Sequence, residues 1–231
     1  EETPARRARS SVAGHGRGLT GKTMFHEPMV ARVNAPNLTL IAAEASDQQL
    51  AQALRQGIGH DGRPLLVMPS AQYSRPTNGE VAALIAVVRA LPKRGTQTPP
   101  IALGPIGRFG VATGKFETQP ELVDEYRASL PAELGPRFAR GRHLALTNCS
   151  ECHGPAFGGG GPQPGLTAPD LALVGAYDLP AFTRLMRTGV PPGGRKLELM
   201  DEVARSDFRH LTDAEIAALH AYLAERAQRT P

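Results

Sequence analysis

The chain is short of the residues that usually fill or cross-link a core. It has no Trp, and only 5% of its 231 residues are aromatic, whereas small domains usually rely on aromatics for buried volume. A buried apolar cofactor would supply that volume. Only two cysteines are present, which leaves room for one disulfide at most. No run of eighteen apolar residues exists, so no transmembrane helix is expected in the given chain. No signal peptide is visible, and Glu1-Glu2 reads as a trimmed or mature start. Strong charge is missing too. The net +4 is spread as ten Lys/Arg against seven Asp/Glu over 1–92, five against five over 93–134, and eleven against ten over 135–231. That balance is too even for a nucleic-acid face. The cluster Arg6, Arg7, Arg9 and Arg17 reads as a solvated or partner-facing edge rather than a DNA site. The length allows one large or two small domains.

Both cysteines fall in one pentapeptide, Cys149-Ser150-Glu151-Cys152-His153. Thiols three positions apart share one edge of a helical turn, and the following imidazole reaches over the same surface. This spacing suits two thioether bonds to the vinyl groups of one haem, with the histidine on its iron. Three other uses fit less well. A thioredoxin-like pair needs a strand before it and a helix after it, but here Gly154-Pro155 and Gly158 to Gly161 follow. A zinc site lacks a fourth ligand. A structural disulfide leaves His153 without a role.

The chain also repeats itself. Leu54-Arg55-Gln56-Gly57-Ile58 matches Met186-Arg187-Thr188-Gly189-Val190, Gly62-Arg63 matches Gly194-Arg195, and Met68 matches Met200, all at an offset of 132. Ala35-Pro36-Asn37-Leu38 matches Ala168-Pro169-Asp170-Leu171, and Thr77 to Leu84 matches Thr212 to Leu219. Four blocks in the same order imply two homologous domains. Capping boxes Ser46-x-x-Gln49, Thr77-x-x-Glu80 and Thr212-x-x-Glu215 open helices, and Gly57 and Gly189 end others. The counterpart of the Ser46 helix starts near Asp178 and buries Phe182, Leu185 and Met186. His220 shares a helix face with Ile216, Leu219 and Leu223 and is expected to pack or face solvent rather than to ligate.

The expected fold is all-α: two tandem domains, 1–92 and 135–231, joined by a Pro/Gly-rich linker over 93–134. The linker should be largely extended, with a short helix around Glu121 to Ser129. Its apolar Ile101, Leu103, Ile106 and Phe109 suggest packing along the domains.

On the CxxCH, the Ala168-Pro169-Asp170-Leu171 loop, Met200 and the final Leu211-Thr212-Asp213 helix start, the second copy resembles a bacterial class I cytochrome c domain. The whole chain resembles the tandem dihaem cytochromes c, some of which accept electrons for periplasmic dehydrogenases. The resemblance implies one covalent haem c on Cys149 and Cys152, His153 as proximal ligand and Met200 as distal ligand. It also implies a periplasmic electron carrier and no enzyme, with redox protein partners or a membrane electron-transfer complex. A membrane association would come through a partner or through an N-terminal anchor missing from this chain. A structural or docking subunit of a larger respiratory, dehydrogenase or photosynthetic complex is the alternative. A thioether sulfur favours reduced iron, which agrees with Met200; Met186 falls on an apolar helix face and reads as core.

The first copy departs from the family. Aligning His15 with His153 puts Ser11 and Gly14 opposite the cysteines, so covalent haem is excluded there. An empty, relic pocket is the expectation. Non-covalent haem on His15 and Met68 is the alternative.

Overall fold

The computed structural model describes residues 13–160 and 167–229. Arg6, Arg7, Arg9 and Ser11 lie outside the described residues. The chain divides into two compact units, the first ending at Glu125 and the second beginning at Tyr126.

The first unit is mostly helical but begins with a hairpin. Strands β1 (Lys22–Glu27) and β2 (Ala31–Ala35) pair antiparallel with an irregularity between Thr23 and Phe25, and a two-residue β3 (Ala102–Leu103) adds to β2. The sequence reading expected no strand, because β1 is exposed along its whole length and carries no alternation of apolar and polar residues. Helices α1 (Leu38–Glu44), α2 (Asp47–Gln56), α3 (Ser70–Tyr73) and α4 (Asn78–Arg89) follow. Both expected capping boxes form: Ser46 with Gln49 opens α2, and Thr77 with Glu80 opens α4. Gly57 ends α2 in the left-handed region, where a side chain would strike Gln119.

Residues 93–125 belong to this unit. Asn37, fully buried, donates from Nδ2 to the carbonyls of Arg94 (2.7 Å) and Thr96 (3.2 Å). Asn34 donates to Pro99 at 3.0 Å. Two helices occur here, α5 (Pro105–Ala112) and α6 (Gln119–Ala128), and the second is the one expected around Glu121. Ile106 and Phe109, expected to be covered, stand 51% and 68% exposed on α5. This short helix instead presses its glycines inward: a β-carbon on Gly107 would meet the Val30 carbonyl, and Gly110 lies against the Phe116 ring.

The second unit holds α7 (Ala139–Asn148), α8 (Ser150–His153), α9 (Leu179–Thr188), α10 (Glu198–Ser206) and α11 (Asp213–Arg229). Asp178 caps α9 through the Ala181 N–H, and Gly189 ends it with φ 75°. Thr212 and Glu215 reciprocally cap α11, and Arg140 pairs with the buried Glu215 carboxylate at 3.3 Å. One apolar cluster joins these helices, with Leu144, Phe157, Phe182, Leu185, Met186, Leu219, Tyr222 and Leu223 among its buried members. Helices α7 and α11 cross closely at Gly141, where a β-carbon would run into the Ala218 carbonyl and sit 2.7 Å from Tyr222 Cβ.

Candidate haem-attachment site

Helical hydrogen bonding runs through the CxxCH. Cys149 N–H donates to Ala145 at 2.8 Å and His153 N–H to Cys149 at 2.9 Å. The two thiols therefore sit one turn apart on one side of the chain. Tyr126 Oη donates to the Ser150 carbonyl at 3.0 Å, and Ser150 Oγ to the Leu146 carbonyl at 2.7 Å, which fixes the turn from both sides. Both cysteines are free; Cys149 is buried and Cys152 half-buried. Burial, with the neighbouring Cys152, pushes the Cys149 thiol up to about 12. Burial and the Glu151 carboxylate raise Cys152. Both are thus neutral thiols at physiological pH, unlike the depressed thiolates of redox-active pairs. Among the described residues, no group of three His, Cys, Asp or Glu is placed to hold a metal ion.

His153 is half-buried, and its Nδ1 lies 2.8 Å from the Pro169 carbonyl. A carbonyl only accepts, so Nδ1 carries the proton and Nε2 keeps its lone pair. Burial lowers the imidazole's pKa, against the opposing effects of the Pro169 bond and the Asp170 charge, so the neutral ring dominates at pH 7. A neutral imidazole with its second nitrogen tied to a carbonyl is the form that binds iron.

Gly154, at φ 78°, ends the helix and turns the chain back. Phe157 then takes a left-handed conformation (φ 64°) and is fully buried, edge-on to Tyr222 at 6.4 Å. Arg226, on α11 and only 7% exposed, clamps the far side. It bonds Asp170 Oδ1 at 3.1 Å and the Ala156 carbonyl at 3.0 Å, with its guanidinium 5.9 Å from the Phe157 ring centre. Burial alone would raise Asp170. The Ala172 N–H and Arg226 outweigh it and hold the carboxyl below the usual range. Sequence reasoning missed Phe157 and Arg226. Arg226 does carry a signal, an arginine three residues beyond Leu223 on the same apolar stripe.

Met200 lies within α10, half-buried against the cluster, whereas Met186 is 3% exposed inside it. His220 bonds the Tyr177 carbonyl at 2.7 Å and leans on Phe182, a packing role. Arg184 bonds the Pro191 carbonyl, and Arg187 bonds Arg209 O and Asp213; Arg195 and Lys196 are exposed. In the first unit His15 is half-buried with Nδ1 3.0 Å from the Pro36 carbonyl, and Met68 is half-buried.

This helical CxxCH in a mostly helical unit agrees with what comparison with known proteins finds. Residues 138–227 match the family described as cytochrome c. They form a cytochrome c domain. Such a domain is a haem-borne electron carrier rather than a catalyst. The chain is also similar to the cytochrome subunit of fructose dehydrogenase from Gluconobacter japonicus, at 27% identity over 202 residues, covering 76% of this chain and 40% of that one. A second relative is one of the subunits of nicotinate dehydrogenase from Pseudomonas putida, at 30% identity over 137 residues, covering 51% of this chain and 11% of that one. The chain thus spans well under half the length of either relative. No helix among the described residues is long and apolar enough to cross a membrane.

Proposed function

We propose that this protein is a periplasmic c-type cytochrome that passes single electrons for a dehydrogenase, through one covalent haem bound by Cys149, Cys152 and His153. The observation that carries the reading is the CxxCH turn with His153 Nδ1 tied to Pro169 inside the cytochrome c domain. The residues present fit the group: two neutral thiols one turn apart, an imidazole with one nitrogen free, and an apolar surround. Met200 is the second residue that would hold the iron. A bound haem supplies reversible one-electron storage on iron, and His/Met ligation raises its potential.

The chain's part is to hold that geometry constant. The Pro169 carbonyl orients the imidazole, and Arg226 pins the loop that carries Pro169 and Asp170. Phe157 and Tyr222 exclude water behind the loop. With His153 and Met200 both holding the iron, the haem would carry electrons and offer no place for substrate. The two tandem cytochrome c-like domains expected from the repeat, and service to a dehydrogenase, belong to the same proposal; the names of both relatives support the latter.

The test is intact mass after denaturation, on protein made with a working cytochrome-maturation system. One haem should remain on the chain and be lost in Cys149→Ala or Cys152→Ala. A bare polypeptide mass refutes the reading. A reversible one-electron wave without peroxide or cyanide reactivity distinguishes the carrier from a haem enzyme.

A further inference from the structure

His15 and His153 open the same loop, 138 residues apart. Gly16 and Gly154 both follow at φ 78° with extended ψ. The Leu19 N–H returns to Gly16 O at 3.1 Å, and the Phe157 N–H to Gly154 O at 3.1 Å. The carbonyls of the two histidines accept from Gly21 (2.9 Å) and Gly159 (3.1 Å). Among the described residues only Leu19 (φ 60°) and Phe157 (φ 64°) are non-glycine residues at positive φ. The close approaches match too. A β-carbon on Gly21 would meet the Ala35 carbonyl at 2.9 Å and the Asn37 nitrogen at 3.1 Å. On Gly159 it would meet the corresponding Ala168 and Asp170 atoms at 3.0 Å each. Each imidazole is tied through Nδ1 to the proline of its Ala-Pro-Asx-Leu segment, at 3.0 and 2.8 Å.

This shape is costly to keep without use, since a leucine in the left-handed region is strained. What the first unit lacks is volume. The second unit buries Phe138, Phe157, Phe182, Phe208 and Tyr222, while the described part of the first buries no aromatic side chain. On α9, Phe182, Leu185 and Met186 are buried; their repeat counterparts on α2, Leu50, Ala53 and Leu54, are only half-covered. Leu50 packs in one cluster with Leu19 of the His15 loop, so this under-filled face and the loop are contiguous. Gly14, where the repeat places Cys152, is exposed, and a β-carbon there would meet nothing within 4 Å.

We infer that the first unit binds a haem without covalent attachment, with His15 Nε2 as its iron ligand. Met68, at the repeat position of Met200, is the second ligand. The absent thiols by themselves predict an empty unit; the preserved imidazole tether and the under-filled apolar face reverse that expectation. A flat, apolar macrocycle supplies the missing aromatic surface, and its retention then depends on affinity rather than on a bond.

The inference rests on the proposed function for the identity of the ligand, and acid–acetone extraction separates the two. The full chain, made with cytochrome maturation and supplemented with haemin, should yield one extracted haem and one retained on the polypeptide. His15→Gly should lose the extractable haem while keeping the retained haem and the far-UV circular dichroism, and added imidazole should restore it. Only retained haem, with no saturable binding of added haemin, overturns the inference and leaves the proposed function standing. Extractable haem indifferent to His15→Gly overturns it as well. A chain with no retained haem refutes the proposed function instead.

Discussion

Replacing Arg226 by Met tests how the chain holds its imidazole-bearing loop. The substitution keeps the unbranched stem and the volume while removing the guanidinium. Its bonds to Ala156 and Asp170 are lost. The bond to the Ala156 carbonyl is charge-assisted and contributes about 1.5–3 kcal/mol. The pair with Asp170 is discounted, because that carboxylate is 42% exposed and rehydrates; about 0–1 kcal/mol is appropriate. The stem still covers Phe157, so the expected loss is about 1.5–4 kcal/mol. In urea, with a slope of about 1–3 kcal/mol per molar, that is a fall of roughly 0.5–4 M in midpoint, read by far-UV circular dichroism of the second-unit transition. The acid limb gives an independent check. Asp170 has a folded pKa below its unfolded value, so its contribution is complete above the ordinary carboxylate range near 4 and disappears as pH falls through the lowered folded value. Arg226→Met should flatten that part of the pH profile relative to wild type. A loss below about 0.5 kcal/mol, the usual range for surface changes, with an unchanged acid limb would refute the idea that Arg226 clamps the loop.

Met200→Ala should abolish the near-infrared sulfur-to-iron band of the oxidised protein and open the iron to added cyanide. Met186→Ala should keep the band but lose about 2–5 kcal/mol of stability through a core cavity; the reverse pattern would exchange their roles. Lys196→Glu should slow association with an acidic redox partner, with the difference shrinking as salt rises, measured by stopped-flow. A rate indifferent to both would favour a permanently docked subunit. Gly141→Ala should destabilise the second unit by about 1–3 kcal/mol in the same urea assay, because the α7–α11 crossing has no room for a β-carbon; an unchanged midpoint would show that the crossing yields freely.

What the sequence determined alone is whatever rests on neighbours along the chain. The CxxCH, the capping boxes at Ser46, Thr77 and Thr212, and the left-handed stops at Gly57 and Gly189 are local, so their spacing already specifies the turn or helix end. The internal repeat is likewise a one-dimensional property. The tertiary structure decided what depends on distant partners. Lys22–Glu27 becomes a strand only because Ala31–Ala35 lies beside it, and its exposed side chains left no alternation to read. Residues 93–104 join the first unit through carbonyls that accept from Asn34 and Asn37, a pairing made by backbone groups that every sequence has. Ile106 and Phe109 face outward because two glycines of the same helix make the close contacts. Arg226 reaches the loop across 56 and 70 residues of chain. The imidazole tethers of His15 and His153 end on proline carbonyls, acceptors whose side chains carry no sign of the bond, so only the folded loop brings them within reach.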